Sequence, residues 1–182
     1  MNLTDALNPF ASKFYNLTLR SGFRAQLLAT PMEESSTYFL LPRRILKLYP
    51  DSKTAGGHLI REENTKKLFF AGENGPAIFG NRVIHKSLKL FEVTHPSATL
   101  LRNETIEDEV TGLKKKVDDN PYTIPVVIEF TKTQEDEMRI GADLVRLISN
   151  FPLLVKDKVN EYTVVNTEQQ LGLHFATARK MH

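Results

Sequence analysis

The sequence predicts a mainly β protein: a small β-barrel or sandwich core, with a short N-terminal helix and a long charged hairpin or loop. Three observations predict it. Ile124, Val126, Ile128 and Phe130 fall on one side of an extended chain, the period of two that suits a sheet with one buried face. Leu171, Leu173 and Phe175 repeat that period near the C-terminus. Between such runs lie turn-forming clusters, Pro50-Asp51-Ser52-Lys53, Ala55-Gly56-Gly57 and Glu63-Asn64-Thr65 among them.

The elements follow in order. Leu7, Phe10, Phe14 and Leu17 have helix-like spacing, and Pro9 suits a helix's first turn, so a short helix is expected from Pro9 to Asn16. Ser21-Gly22 breaks the chain. Phe23 to Ala29 reads equally as strand or helix, and 30–36 is a loop. Tyr38 to Leu41 and Ile45 to Tyr49 read as short strands on either side of Pro42, which marks an edge or bend. His58 to Glu62, Lys66 to Ala71 and Ser87 to Val93 follow as strands, with Leu88 and Leu90 opposed to Phe91 and Val93. Gly72-Glu73-Asn74-Gly75-Pro76 reads as a loop and Gly80-Asn81 as a turn. Ile124 to Lys132 is a strand, and 143–149 fits a helix turn or a buried strand. Tyr162 to Asn166 and Leu171 to Ala178 make a last hairpin across 167–170. On length, 182 residues fit a single domain. Its N-terminal arm and loop are 1–36, its β core 37–99 and 123–182, and its charged excursion 100–122.

That excursion carries Glu107, Asp108 and Glu109, then Thr111-Gly112, then Lys114, Lys115 and Lys116. It reads either as a solvated loop or as a hairpin with acid on one arm and base on the other, reaching a neighbouring subunit. A fainter echo relates Leu48-Tyr49-Pro50, Gly57-His58-Leu59-Ile60 and Lys67 to Ala71 to Asn150-Phe151-Pro152, Asp157-Lys158-Val159 and Leu173 to Ala176. Two small barrel-like units, or two hairpins of one barrel, would give it.

Composition narrows the function. Hydrophobic residues are 41% and charged residues 25%, enough for a core and ordinary for a soluble chain. The formal charge of +2 leaves no strong field for nucleic acid, although local patches remain. With no cysteine there is no disulfide, no thiolate metal site and no Cys nucleophile, which fits a reducing interior. The first residues lack a basic start and an apolar run, so no signal peptide is expected, and no apolar run approaches the roughly 20 residues a membrane helix needs.

Chemistry-bearing motifs are scarce. His58, His85, His95, His174 and His182 show no metal-ligand spacing. There is no Gly-x-Ser-x-Gly, and the glycine-rich 72–80 stretch lacks the Lys-Ser/Thr of a phosphate loop. The reading is of a non-enzymatic protein with no metal and no cofactor. Its candidate partner-binding residues are Arg43 and Arg44, with Glu107, Asp108, Glu109, Lys114, Lys115 and Lys116 of the excursion.

Two stretches carry a resemblance that covers roughly half the chain. They are Gly57 to Arg61 with Lys67 to Asn74, ending at Ser87 to Val93, and Leu154 to Val164 followed by Gln170-Leu171-Gly172-Leu173. Together they resemble the small head–tail connector (neck or head-completion) proteins of tailed bacteriophages, in which a strand leaves a Gly-Asp-x-Val-like turn and hairpins into an aromatic strand. This chain has Gly56-Gly57-His58-Leu59 and Lys156-Asp157-Lys158-Val159 at that turn. The resemblance implies a β-barrel core with arms inserted between ring subunits, and it carries over no catalytic residue. The expected partners are copies of itself in a ring, adjacent portal, neck or tail proteins, and passive contact with DNA in a channel, with no membrane. The expected location is the virion, assembled in the host cytoplasm. The alternative is a β-barrel nucleic-acid- or protein-binding module using Arg43, Arg44 and the Lys114 block.

Overall fold

In the computed structural model, which describes residues 11–29, 44–108, 111–130 and 144–180, the alternating pattern forms twelve strands and, among those residues, no helix. Strands β1 (Ala11–Asn16), β2 (Ser21–Ala29), β3 (Arg44–Leu48), β4 (Leu59–Glu62), β5 (Leu68–Phe79) and β6 (Arg82–Glu92) close a barrel in the order β1-β2-β3-β6-β5-β4. Strands β7 (His95–Glu107), β8 (Lys114–Phe130), β9 (Leu144–Ser149), β10 (Lys158–Val159), β11 (Tyr162–Gln170) and β12 (Leu173–Lys180) close a second. Raising each strand number by six turns the pairings of the first barrel into those of the second. The two halves of the chain are one topology used twice, joined by Val93 and Thr94.

Hydrogen bonds fix the equivalence residue by residue. Gly57 N–H donates to Ala71 O (2.8 Å) and Ala71 N–H to His58 O (2.9 Å). Lys156 N–H donates to Val164 O (2.9 Å) and Val164 N–H to Asp157 O (2.8 Å). Gly57 and Lys156 share a left-handed backbone, φ 84° and 77°. The echo in the sequence is therefore real in its turn and its short strand. Its third member is displaced, because the counterpart of β5 is β11 and not the Leu173 to Ala176 strand.

Several expectations are corrected. The N-terminal helix is strand β1, paired to β2 on one side and β4 on the other. Phe14 and Asn16 point into the barrel, and these two inward anchors outweigh the helix-like spacing of Leu7, Phe10, Phe14 and Leu17. Ser21 and Gly22 begin β2 rather than break the chain. The 72–76 loop is strand, with a bulge between Glu73 and Pro76 that tolerates the missing N–H of proline. The last hairpin turns at Leu171-Gly172, not at 167–170. Segment 100–122 is not a loop but the paired ends of β7 and β8, the hairpin of its two readings, and of its residues Leu100 is fully buried. The ambiguous 143–149 stretch is strand from Leu144 on. The strand expected over 38–41, the loop over 30–36 and Pro42 lie outside the described residues.

Each barrel has its own interior. Phe14, Leu46, Leu48, Ile60, Phe69, Leu88 and Leu90 fill the first, and Leu100, Ile124, Val126, Ile128, Val145, Leu147 and Val164 the second. A third cluster joins them: Phe70 and Phe91 from one barrel meet Val127, Ile148, Leu173 and Phe175 from the other. Phe91 and Phe175 meet edge to face at 5.8 Å, and burying each such side chain is worth about 2 kcal/mol. This junction explains why Phe69-Phe70 and Val126-Val127-Ile128 break the alternation with adjacent apolar residues. Their outward faces are covered too. Leu171, Leu173 and Phe175, the C-terminal alternation, face the junction while Ala176 and Ala178 face the barrel interior.

The two barrels meet through different faces. The register places Thr163, Arg179 and Lys158 where Phe70, Phe91 and Leu59 stand in the first barrel. It places Gln26, Lys47 and Ser87 where Val127, Ile148 and Phe175 stand in the second. The contact is head-to-tail, and both outer faces that would continue it are polar.

Candidate assembly surfaces

The barrel junction is sealed by glycine. The β11–β12 hairpin tip, with Leu171 at φ 56° and Gly172 at φ 78°, has the left-handed pair of a two-residue type I′ turn. It lies on the β3–β4 loop and against β5, where Glu73 N–H donates to Leu171 O (2.9 Å). A Cβ on Gly56 would stand 2.4 Å from Leu171 O, and one on Gly57 2.7 Å from Gly172 O. The two stretches that carry the connector resemblance, about a hundred residues apart, thus touch each other backbone to backbone.

The loops between the third and fourth strands of each barrel are held by one device with two chemistries. In the second barrel Asp157 accepts from Leu154 N–H (2.8 Å), Arg102 Nε (2.9 Å) and Arg102 Nη2 (2.6 Å), and Arg102 Nη2 also donates to Pro152 O (2.6 Å). The guanidinium lies between Tyr122 (5.9 Å) and Phe151 (5.5 Å), and its bond to Asp157 raises its pKa above the ordinary value. Beside it Tyr122 donates to Glu104 (2.6 Å), as does Asn120. These bonds hold the Glu104 carboxyl below its usual range and push Tyr122 up.

In the first barrel His58 Nδ1 takes the place of the Asp157 carboxylate. It accepts from Ala55 N–H (3.3 Å) and lies 3.0 Å from Asn16 Nδ2, itself bonded to Thr54. Both neighbours are donors, so this ring is neutral with its proton on Nε2. Burial lowers its pKa from 6.5. An unfolded chain below pH 6.5 takes a proton that the fold refuses. Stability is therefore full above that pH and declines as the pH falls through and below it. His58→Asn, which keeps an acceptor as Asp157 does, should flatten the decline in urea midpoint between about pH 7 and about pH 5. An unchanged decline would remove His58 as its source.

Two hairpins project as arms. The β5–β6 arm ends in Gly80-Asn81, with Gly80 at φ 58°. Its apolar residues are uncovered: Ile78 is 63% exposed, Phe79 79% and Ile84 55%. A cleft of about 540 Å³ lies at its base, between residues 50–55 and Glu73, Lys86 and Ser87, with Lys86 Nζ bonded to Ser52 O (3.0 Å). The β7–β8 arm is the charged hairpin. Its turn is closed by Gly112 N–H donating to Asp108 O (2.8 Å), and Thr111 N–H donates to the Asp108 side chain (2.8 Å). Leu113 at its tip is 70% exposed.

The sequence-selected residues distribute unevenly. Glu107 faces Lys114 across the arm at 3.9 Å, Thr105 faces Lys116, and Ile106 faces Lys115. Lys116 also stands 3.4 Å from Asp118. These exposed pairs contribute little to stability, of order 0.5 kcal/mol each, so their charge is available to a partner. Arg44 lies apart from them, over the ring of core Phe69 at 5.7 Å, and packs at the barrel mouth. Arg43 and Glu109 lie outside the described residues. Among the described residues no group of three His, Asp or Glu is placed to hold a metal ion.

Sequence reasoning missed the β5–β6 tip, placing no more than a turn at Gly80-Asn81. The signal was Ile78-Phe79 and Val83-Ile84 hugging a two-residue Gly-Asn turn, where no sheet neighbour can cover them. It also missed the charge asymmetry. Residues 1–94 hold thirteen Lys and Arg against eight Asp and Glu, and 95–182 hold eleven against fourteen. No family model matches the chain, and no curated protein or solved structure matches it significantly.

Proposed function

We propose that the chain is a structural subunit that assembles with copies of itself into a ring, as a head–tail connector of a tailed phage surrounding the DNA channel. The observation that carries the assembly role is the pair of projecting hairpins whose tips leave Phe79 79% and Leu113 70% exposed. Large apolar side chains grouped at the end of an arm mark a surface that is covered in an assembly. A closed barrel also hides its strand edges, so contacts between such subunits fall to arms and loops. The virion setting rests on the resemblance of the 57–93 and 154–173 stretches, and those stretches meet at the barrel junction.

The test is the mass in solution of the whole chain, by light scattering and native mass spectrometry. A ring-former gives a defined multiple of 20.7 kDa and, in electron micrographs, closed rings with an axial hole. A mass that stays at 20.7 kDa at the highest attainable concentration overturns the ring. If that monomer instead shifts duplex DNA in a strongly salt-dependent way, the nucleic-acid-binding alternative takes its place.

A further inference from the structure

Resting on that reading, we propose that the ring contact is made by the β5–β6 arm of one copy docking, through Ile78 and Phe79, onto Leu154 and Val155 of the next copy. The internal repeat supplies the first reason. The β11–β12 hairpin is the counterpart of the β5–β6 hairpin, and within the chain its tip lies on the β3–β4 loop at Gly56-Gly57. The counterpart of that loop is 154–156, because Ala55 and Leu154 each donate N–H to the side chain three residues on. One hairpin-on-loop pair is made inside the chain. The other pair stays open at both ends: Ile78 is 63% and Phe79 79% exposed, and Leu154 51% and Val155 52%.

The open pair has its own chemistry. The internal contact is glycine on glycine, and Val155 cannot copy it, since a Cβ at the equivalent Gly56 runs into a carbonyl at 2.4 Å. Val155 and Leu154 instead hold an arriving hairpin one side chain further off, and the strand end before the Gly80-Asn81 turn carries Ile78 and Phe79 where the one before Leu171-Gly172 carries Gln169 and Gln170. Apolar side chains thus stand on both halves of the open pair. Because both halves are uncovered within one chain, the contact falls between copies.

The unlike shapes give the second reason. A hairpin tip meeting a loop is a contact between two different surfaces, so it is head-to-tail and not symmetric. A contact between unlike surfaces also propagates, and closes into a ring when its rotation allows.

The chain has no cysteine, so two introduced thiols report this contact alone. Phe79→Cys with Val155→Cys in the full chain, oxidised mildly, should give a covalent ladder extending beyond the dimer on a denaturing gel. Each single variant should not pass the dimer. Ile78→Cys with Leu154→Cys covers a small offset of the tip, given the short Cβ–Cβ span a disulfide needs. In parallel Phe79→Glu, an exposed change that leaves both cores intact, should raise the concentration for half-assembly roughly tenfold or more. If the wild-type mass is that of a ring but neither cysteine pair gives a ladder and Phe79→Glu assembles normally, the ring stands and this contact is wrong. If Phe79→Cys alone links as efficiently as the pair, the contact is symmetric and the proposal is overturned. If the wild-type chain is a monomer, the ring reading itself has failed and takes the contact with it.

Discussion

Gly56→Ala should cost about 2–3 kcal/mol of stability, among the largest losses expected from a single methyl group anywhere in this chain. The backbone at Gly56 is not left-handed, so alanine meets no intrinsic penalty there. The whole effect is steric. The new Cβ would stand 2.4 Å from Leu171 O and 3.1 Å from Glu73 N, the two atoms whose hydrogen bond ties β5 to the β11–β12 turn. Neither atom can yield without moving a strand, and the strands behind them carry Phe70 and Leu173 of the shared cluster.

Gly80→Ala is the matched control. Gly80 has φ 58° and nothing within 4 Å of its would-be Cβ, so its cost is the left-handed penalty alone, roughly 1 kcal/mol. Urea denaturation of both variants measures the difference. If the barrels depend on this seam for their cooperativity, Gly56→Ala should also broaden the transition or split it in two. Equal midpoints for Gly56→Ala and Gly80→Ala would show that the seam does not join the barrels.

The sequence carries the fold class plainly and its duplication only faintly, for a physical reason. Alternation marks a strand with one covered face, and Ile124, Val126 and Ile128 display it. The strands at the junction are covered on both faces, so Phe69-Phe70 and Val126-Val127 read as runs and lose the period that would assign each residue to a barrel. The same repeat is written in different residues at matching positions: Phe70 against Thr163, Ile148 against Lys47, His58 against Asp157. Only hydrogen-bond register reveals that these correspond. Strand β1 was misread because Phe14 satisfies a helical and a strand pattern alike, and pairing with β4, more than forty residues away, decides between them. The charged hairpin was visible as opposed blocks with a Thr-Gly turn. The apolar arm was not, since exposure of Phe79 depends on a turn that lifts it clear of every neighbour.

Asp157→Ala should be the most damaging change to a polar side chain, costing about 3–5 kcal/mol. Asp157 is 3% and Arg102 12% exposed at their side chains, so the pair is largely out of water. Removing the carboxylate strands the guanidinium between Tyr122 and Phe151 with Pro152 O as its remaining close partner, and it leaves Leu154 N–H without an acceptor. Asp157→Asn, which still offers that acceptor but no charge, should fall between the wild type and the alanine variant. Arg102→Leu separates the two sources of the loss. It removes the cation and keeps the turn, and in the double variant with Asp157→Ala the cost should be smaller than the sum of the singles by at least about 1 kcal/mol, because one removal relieves the strain left by the other. The losses should persist in high salt, unlike those from the exposed Glu107–Lys114 pair, since a buried contact is little screened. Strict additivity of Arg102→Leu and Asp157→Ala would mean that the two side chains stabilise the loop independently, and the shared role drawn for His58 and Asp157 would then rest on backbone geometry alone.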